Sequence, residues 1–258
     1  MILYGDPKVG KSYAALQLAL TLTGDGPDDW LGFPTGQSGP VVYVQLDTPR
    51  SLWAERLEAL QVGGHPVESD HFYLADRETL DTWPFDILNP EHEHLLRRAL
   101  TPIQPIAVII DTLKESNTAD ENSNTEMTSA INKLIAATQP AALILVAHAK
   151  KPNFEAGPDT INDNRGAGAT VAKMDAICRM TKKGLYYTGR AIEAGDVKIE
   201  RGDDGFWSLV EDGLANLIAE LLADTSFPSL RSKAKELAIR VGLKEEAARS
   251  LLRRRGSR

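Results

Sequence analysis

The sequence predicts an α/β protein with a central, mostly parallel sheet and an antiparallel extension over residues 1–212. A small all-helical module over residues 213–258 follows. Three observations carry that expectation. A glycine-rich loop, Gly5-Asp6-Pro7-Lys8-Val9-Gly10-Lys11-Ser12, separates a short apolar run from a helix rich in alanine and leucine. Largely apolar runs at 41–46, 106–110 and 143–147 read as strands buried on both faces. From Ala176 onward the chain changes to short alternating segments punctuated by turn residues, as antiparallel strands require.

The loop fits G-x-x-x-x-G-K-[ST], and its positions have separate physical reasons. Gly5 and Gly10 permit backbone angles and close approach that a Cβ would forbid. The backbone N–H groups through Tyr13, at the N-terminus of the following helix, present partial positive charge to an anion. Lys11 is placed to reach the β- and γ-phosphates of a nucleotide, and the Ser12 hydroxyl to ligate Mg²⁺. A chance glycine turn before a helix is the alternative. Four fixed positions, flanked by strand and helix, favour nucleotide binding.

At 258 residues, 42% of them hydrophobic, the chain has room for one α/β domain of about 200 residues plus an appendage. No apolar run approaches the roughly 18 residues needed to span a bilayer, and no basic-then-apolar leader opens the chain. The single cysteine, Cys178, has no internal disulfide partner. A reducing cytoplasm and no membrane partner are expected. The net charge of −7 is unevenly spread. From Gly213 onward ten Lys/Arg face five Asp/Glu, while the preceding residues carry nineteen against thirty-one. A basic tail on an acidic body points to the tail as the part that meets an anionic partner, although a solvated helical surface would look the same.

Along the chain, Asp25 to Pro40 reads as a loop whose Trp30, Leu31 and Phe33 pack back onto the core. The strand at 41–46 ends at Asp47, and a helix runs from Pro49 to about Gly63. A further strand is expected near His71 to Leu74 and a helix from Glu91 to Leu100. His92 and His94 in that helix point in different directions and lack a zinc-type ligand set, so they read as exposed histidines. Asp111 closes the run Ile106 to Ile110, a hundred residues after Lys11. A carboxylate at the C-terminal end of a parallel strand lies where open α/β sheets bind ligands, and is placed to hold the magnesium ion. An Asp capping a turn is the plainer alternative. Residues 112–124 read as a mobile polar loop, and Met127, Ile131, Leu134 and Ile135 mark an amphipathic helix. The run 143–147 ends at His148, followed by Lys150, Lys151 and a second polar stretch closing on Arg165-Gly166-Ala167-Gly168.

Taken together, the loop, Val-Gln-Leu-Asp47-Thr-Pro, the strand ending in Asp111, Val-Ala-His148-Ala-Lys-Lys151 and Arg165-Gly-Ala-Gly resemble the RecA-like P-loop ATPases. Within that group they resemble in particular the RepA-type and DnaB-type hexameric replicative helicases, over residues 1 to about 210. It implies ATP and Mg²⁺ as cofactors. Asp47 then falls where that group has a glutamate that polarises the attacking water, one methylene longer than the residue present here. His148 takes the place of the γ-phosphate sensor. Arg190 in the meander, or Arg165, takes that of an arginine finger acting on a neighbouring subunit. The polar stretches after Asp111 and His148 match two nucleic-acid-facing loops, with Lys114, Lys150 and Lys151 as contacts to single-stranded DNA. A homo-oligomer, hexameric in that group, is implied.

The tail reads as three helices, the second starting after a cap at Ser229 and burying Ala234, Leu237 and Ala238. Residues 236–253 resemble a helix-turn-helix with its turn glycine at Gly242. Lys244, Arg249, Arg253, Arg254 and Arg255 would then meet duplex DNA. A helical bundle used for subunit docking is the competing reading. Two functions therefore stay open: a nucleic-acid-dependent ATPase of helicase type, and an ATP-dependent DNA-binding switch or loader.

Overall fold

The computed structural model describes residues 1–24, 26, 29–62, 70–76, 78–80, 84–149, 173–203, 205–210, 220–241, 245, 248, 249 and 252. The chain divides into two compact units, Met1–Leu209 and Val210–Arg258. In the first, β1 (Ile2–Gly5) leads through the glycine loop into α1 (Lys11–Thr23). A small hairpin, β2 (Asp29–Trp30) and β3 (Phe33–Pro34), follows. Then come β4 (Val41–Gln45), α2 (Arg50–Val62), β5 (Phe72–Asp76), α3 (Pro90–Leu100), β6 (Ala107–Asp111), α4 (Asn124–Thr138) and β7 (Ala142–His148). Four strands close the unit: β8 (Ala176–Met180), β9 (Gly184–Gly189), β10 (Gly195–Arg201) and β11 (Trp207–Leu209).

The described strands other than the hairpin build one nine-stranded sheet in the order β11-β10-β9-β8-β1-β7-β6-β4-β5. From β5 to β8 every neighbouring pair is parallel, and from β8 to β11 every pair is antiparallel. The apolar runs are explained by burial on both sides. Leu3, Tyr43, Ile109 and Val146 point into one core layer with Leu16 and Leu20 of α1 and Trp53 and Leu60 of α2. The alternating residues Ile2, Val44, Ile110 and Leu145 enter a second layer with Leu96 of α3 and Ile131 and Leu134 of α4.

Local chemistry sets the helix starts. Asn89 Oδ1 accepts from Glu91 N with Pro90 in the first turn of α3, and the Ser123 hydroxyl accepts from Glu126 N to open α4. The loop expected over 25–40 carries the hairpin β2–β3, whose Leu31 and Gly32 turn with positive φ. Its Trp30 is buried and donates Nε1–H to Ala14 O at 2.9 Å, so this segment does pack onto the core.

The segment 112–124 departs from the expected mobile loop. It turns through Lys114–Ser116, buries Ser116, and ties Thr118 Oγ1 to Asp86 Oδ2 at 2.7 Å. His92 is likewise more than an exposed surface residue. Its Nδ1 accepts from Asp86 N at 2.9 Å, and its ring stacks on Phe85.

Arg50, at the start of α2, donates to both carboxylate oxygens of Asp76 at 2.5 and 2.7 Å and contacts Glu78 at 2.9 Å. The Arg50 hydrogen bonds, helped by Thr79, hold the Asp76 carboxyl down at about 2. A depressed carboxylate adds stability above its ordinary range, and that stability is lost as pH falls through 2. Asp76→Asn should therefore cost about 1–2 kcal/mol at pH 7, discounted because Arg50 is half exposed. Urea midpoints at pH 7 and pH 2.5 check this; an equal loss at both would show that the charge pair is not the cause.

In the second unit, α5 (Leu230–Val241) starts at Ser229, whose hydroxyl accepts from Ser232 N at 3.2 Å while Ser232 Oγ accepts from Ser229 N. Ala234 and Leu237 are buried with Leu221, Ala248 and Leu252. The expected third helix lies mostly outside the described residues.

Candidate functional site

The carboxyl edge of the parallel strands gathers the charged residues named by the sequence. β1 lies between β7 and β8, with Gly5 opposite His148 and Met180. A Cβ on Gly5 would collide with the Met180 carbonyl, so this glycine is required by strand packing as well as by the loop. The chain then rises through exposed Asp6, Pro7 and Lys8, with Lys8 at φ 64° and Gly10 at φ 91°, both left-handed. The N-cap residue of α1 is Gly10, and among the described residues no side-chain cap closes this helix start. Its first-turn amides are thus left for an anion rather than for a neighbouring side chain.

Lys11 is buried. Its Nζ donates to Gly5 O at 2.9 Å and Asp6 O at 2.8 Å, and lies 3.4 Å from His148 Nδ1. Burial pulls its ammonium below the ordinary lysine value, with Asp111, Asp6 and Asp47 opposing. His148, at the end of β7, is also pushed below its ordinary value, first by burial and then by the Lys11 ammonium. A neutral ring with an acceptor facing Lys11 is the consequence. Asp47, on the bend after β4, acts on the charges of Lys11, Asp111 and His148. Its backbone N–H donates to the side-chain oxygen of buried Gln45 at 2.7 Å, which shapes the bend.

Asp111 is fully buried at the end of β6. The Tyr43 hydroxyl donates to its Oδ2 at 2.7 Å, whereas Oδ1 has no hydrogen-bond partner among the described residues. Burial raises this carboxyl above its usual range; Tyr43, the Ser12 hydroxyl and the Arg56 guanidinium pull the other way. A buried carboxylate oxygen left unpaired beside a serine hydroxyl is the donor set a magnesium ion accepts, since Mg²⁺ takes one or two carboxylates and completes its shell with phosphate and water. The residues present fit the ion.

Two members of this site were missed by the sequence reading. Tyr43 sits mid-strand and looks like ordinary core, yet its hydroxyl is what orients Asp111. Arg56, on α2, lies 5.2 Å from the Tyr13 ring centroid and 5.3 Å from that of Trp53, and its buried Nη1 has no hydrogen-bond partner among the described residues. Neither a mid-strand tyrosine nor a helical arginine shows this placement in its local sequence.

Other candidates stand elsewhere. Arg190 lies at the opposite, amino edge of the sheet, 3.1 Å from Asp175, and within one chain does not approach the phosphate loop. Lys114 is exposed on the turn after β6, close enough to act on His148. Arg249 is exposed in the second unit. Lys150, Lys151, Arg165, Lys244, Arg253, Arg254 and Arg255 lie outside the described residues. Among the described residues no helix is long and apolar enough to cross a membrane.

Residues 1–153, more than half of the chain, match the family model described as an AAA domain. No curated protein matches the sequence. The matched stretch contains Lys11, Ser12, Asp47, Asp111 and His148, and ATP binding and hydrolysis are what such a domain implies. A glycine loop and an acidic strand end on one sheet edge, inside that match, place the chain in the AAA domain family of P-loop ATPases.

Proposed function

We propose that the chain is a nucleic-acid-dependent ATPase of the RepA and DnaB helicase type, acting as a homo-oligomer in replication. The observation that carries this reading is the contact between Lys11 Nζ and His148 Nδ1 at 3.4 Å. Through it, a residue that a polar stretch of sequence follows shares its charge environment with the group that meets the terminal phosphates.

In this reading the loop amides and Lys11 bind the triphosphate, and Ser12 and Asp111 hold Mg²⁺. The ion, when bound, neutralises charge on the β- and γ-oxygens. Asp47 orients the attacking water. His148, neutral and acceptor-bearing, follows the terminal phosphate and passes its loss to the segment beyond it. Arg190 or Arg165 of a neighbouring copy supplies the finger. Lys114, with Lys150 and Lys151, meets the phosphates of single-stranded DNA, whose binding should weaken steeply with salt.

ATP turnover measured with no DNA, with single-stranded DNA and with duplex DNA tests the proposal. Single strands should raise the rate several-fold. A rate indifferent to every nucleic acid would remove the helicase assignment and leave a bare ATPase. A second reading, a slow ATP-dependent DNA-binding switch or loader, is favoured by Asp47, whose side chain is one methylene shorter than the glutamate used by efficient motors. Tight duplex binding by the whole chain without strand separation would select it.

A further inference from the structure

The hairpin of β10 and β11 touches α1 along a single stripe. Gly10, Tyr13 and Gln17 stand at helical spacing on one side of that helix, and each meets the hairpin through a different contact. The Trp207 indole fills the space a Cβ on Gly10 would need, its Cζ2 only 2.7 Å from that position, and its Nε1 donates to Gly10 O at 3.4 Å. The Arg201 guanidinium lies 3.6 Å from the Tyr13 ring centroid, while its Nε donates to Gly205 O at 3.2 Å. One turn further on, Gln17 Nε2 donates to Trp207 O at 2.8 Å and its Oε1 accepts from Trp207 N at 2.9 Å.

The Gln17 clasp is unusual in one respect. A strand at the edge of a sheet normally leaves its outward N–H and C=O groups to solvent or to another strand. Here a buried glutamine side chain takes both groups of Trp207 in place of a strand. Without them its carboxamide would be an orphaned buried group, which is costly. The indole is thus fixed on one side by β10, where Arg201 pairs with Trp207, and on the other by α1.

We infer that Trp207 is a positioning residue for the nucleotide: clasped by Gln17, it holds Gly10 in its left-handed conformation and so sets where the first-turn amides of α1 point. The inference rests on the reading of this loop as the triphosphate site and adds the element that preorganises it. The indole's own hydrogen bond goes to Gly10 O, not to Lys11, Asp47, Asp111 or His148, the residues proposed for the chemistry. Its loss therefore bears on affinity before it bears on turnover.

Trp207→Phe keeps an aromatic ring but loses Nε1–H and the ring edge against Gly10. It should raise KM for ATP about tenfold, a change of ~1.4 kcal/mol, and leave kcat within about threefold. Gln17→Leu, which frees the strand but keeps the indole, should move KM in the same direction by less. A spectroscopic readout in the unsubstituted full chain guards against a variant that fails to fold. With 5-fluorotryptophan incorporated and signals assigned by elimination from Trp30→Phe, Trp53→Phe and Trp83→Phe, the ¹⁹F resonance of Trp207 should shift on titration with Mg·ADP, and more than that of Trp30. A Trp207 signal that stays still while calorimetry records ADP binding, or an unchanged KM in Trp207→Phe, overturns the clamp alone. No nucleotide binding by the unsubstituted chain overturns the nucleotide reading with it.

Discussion

Lys11→Ala should reduce ATP turnover by about 10²–10³-fold and weaken nucleotide binding, with little change in the melting temperature. The effect follows from where the ammonium sits. It is buried, two of its donors are spent on the Gly5 and Asp6 carbonyls, and three carboxylates offset the burial that would otherwise favour its neutral form. A cation kept charged in that setting is preorganised for the phosphate charge it must meet, and no other described lysine reaches the loop carbonyls. Alanine removes the charge and leaves the two carbonyls beside the exposed loop, where water can satisfy them, so folding should be little affected. Lys11→Arg should not rescue the rate, because a planar guanidinium cannot take the place of a compact ammonium between two carbonyls. Steady-state turnover and binding of a fluorescent ATP analogue measure both quantities. Turnover within a few-fold of the unsubstituted chain would remove Lys11 from the site.

The parts of this molecule visible in the sequence are those written in short-range pattern. The runs around Val44, Ile110 and Leu145 could be recognised as buried parallel strands because both of their faces are covered, which forbids polar alternation. Asp111 stood out as the first charge after such a run. The features that escaped notice depend on partners far away in the chain. Tyr43 reaches Asp111 across 68 residues, and Trp207 reaches Gln17 across 190, and neither separation leaves a local trace. Composition misjudged residues 112–124 for the same reason. Their polar side chains looked solvated, but Asp86, from a different loop, takes up Thr118. Spacing argued against His92 and His94 as a metal pair. It could not show that His92 acts as an acceptor for the Asp86 amide.

Asp111→Asn should abolish turnover and at the same time stabilise the fold. The carboxylate is wholly buried, only one of its oxygens is paired, and the balance of its surroundings raises its affinity for a proton. A group that binds a proton more tightly folded than unfolded makes stability fall as pH rises through its folded value, so at pH 7 the ionised Asp111 is a cost to the native state. Asparagine imitates the protonated form. It keeps an oxygen for the Tyr43 hydroxyl and removes the buried charge, which should stabilise by about 1 kcal/mol, or roughly 2–4 °C for a unit of this size. The gain should be present at pH 7 and vanish below pH 4, where the natural residue is itself protonated; it has to be measured without nucleotide and with a chelator. The loss of turnover, about 10²-fold or more, follows because the amide cannot replace the anionic oxygen that, with Ser12, would hold Mg²⁺. A residue retained for packing alone would give the opposite pair of results, a less stable protein with its turnover intact. Differential scanning calorimetry across pH, paired with an ATPase assay on the same preparation, separates the two outcomes.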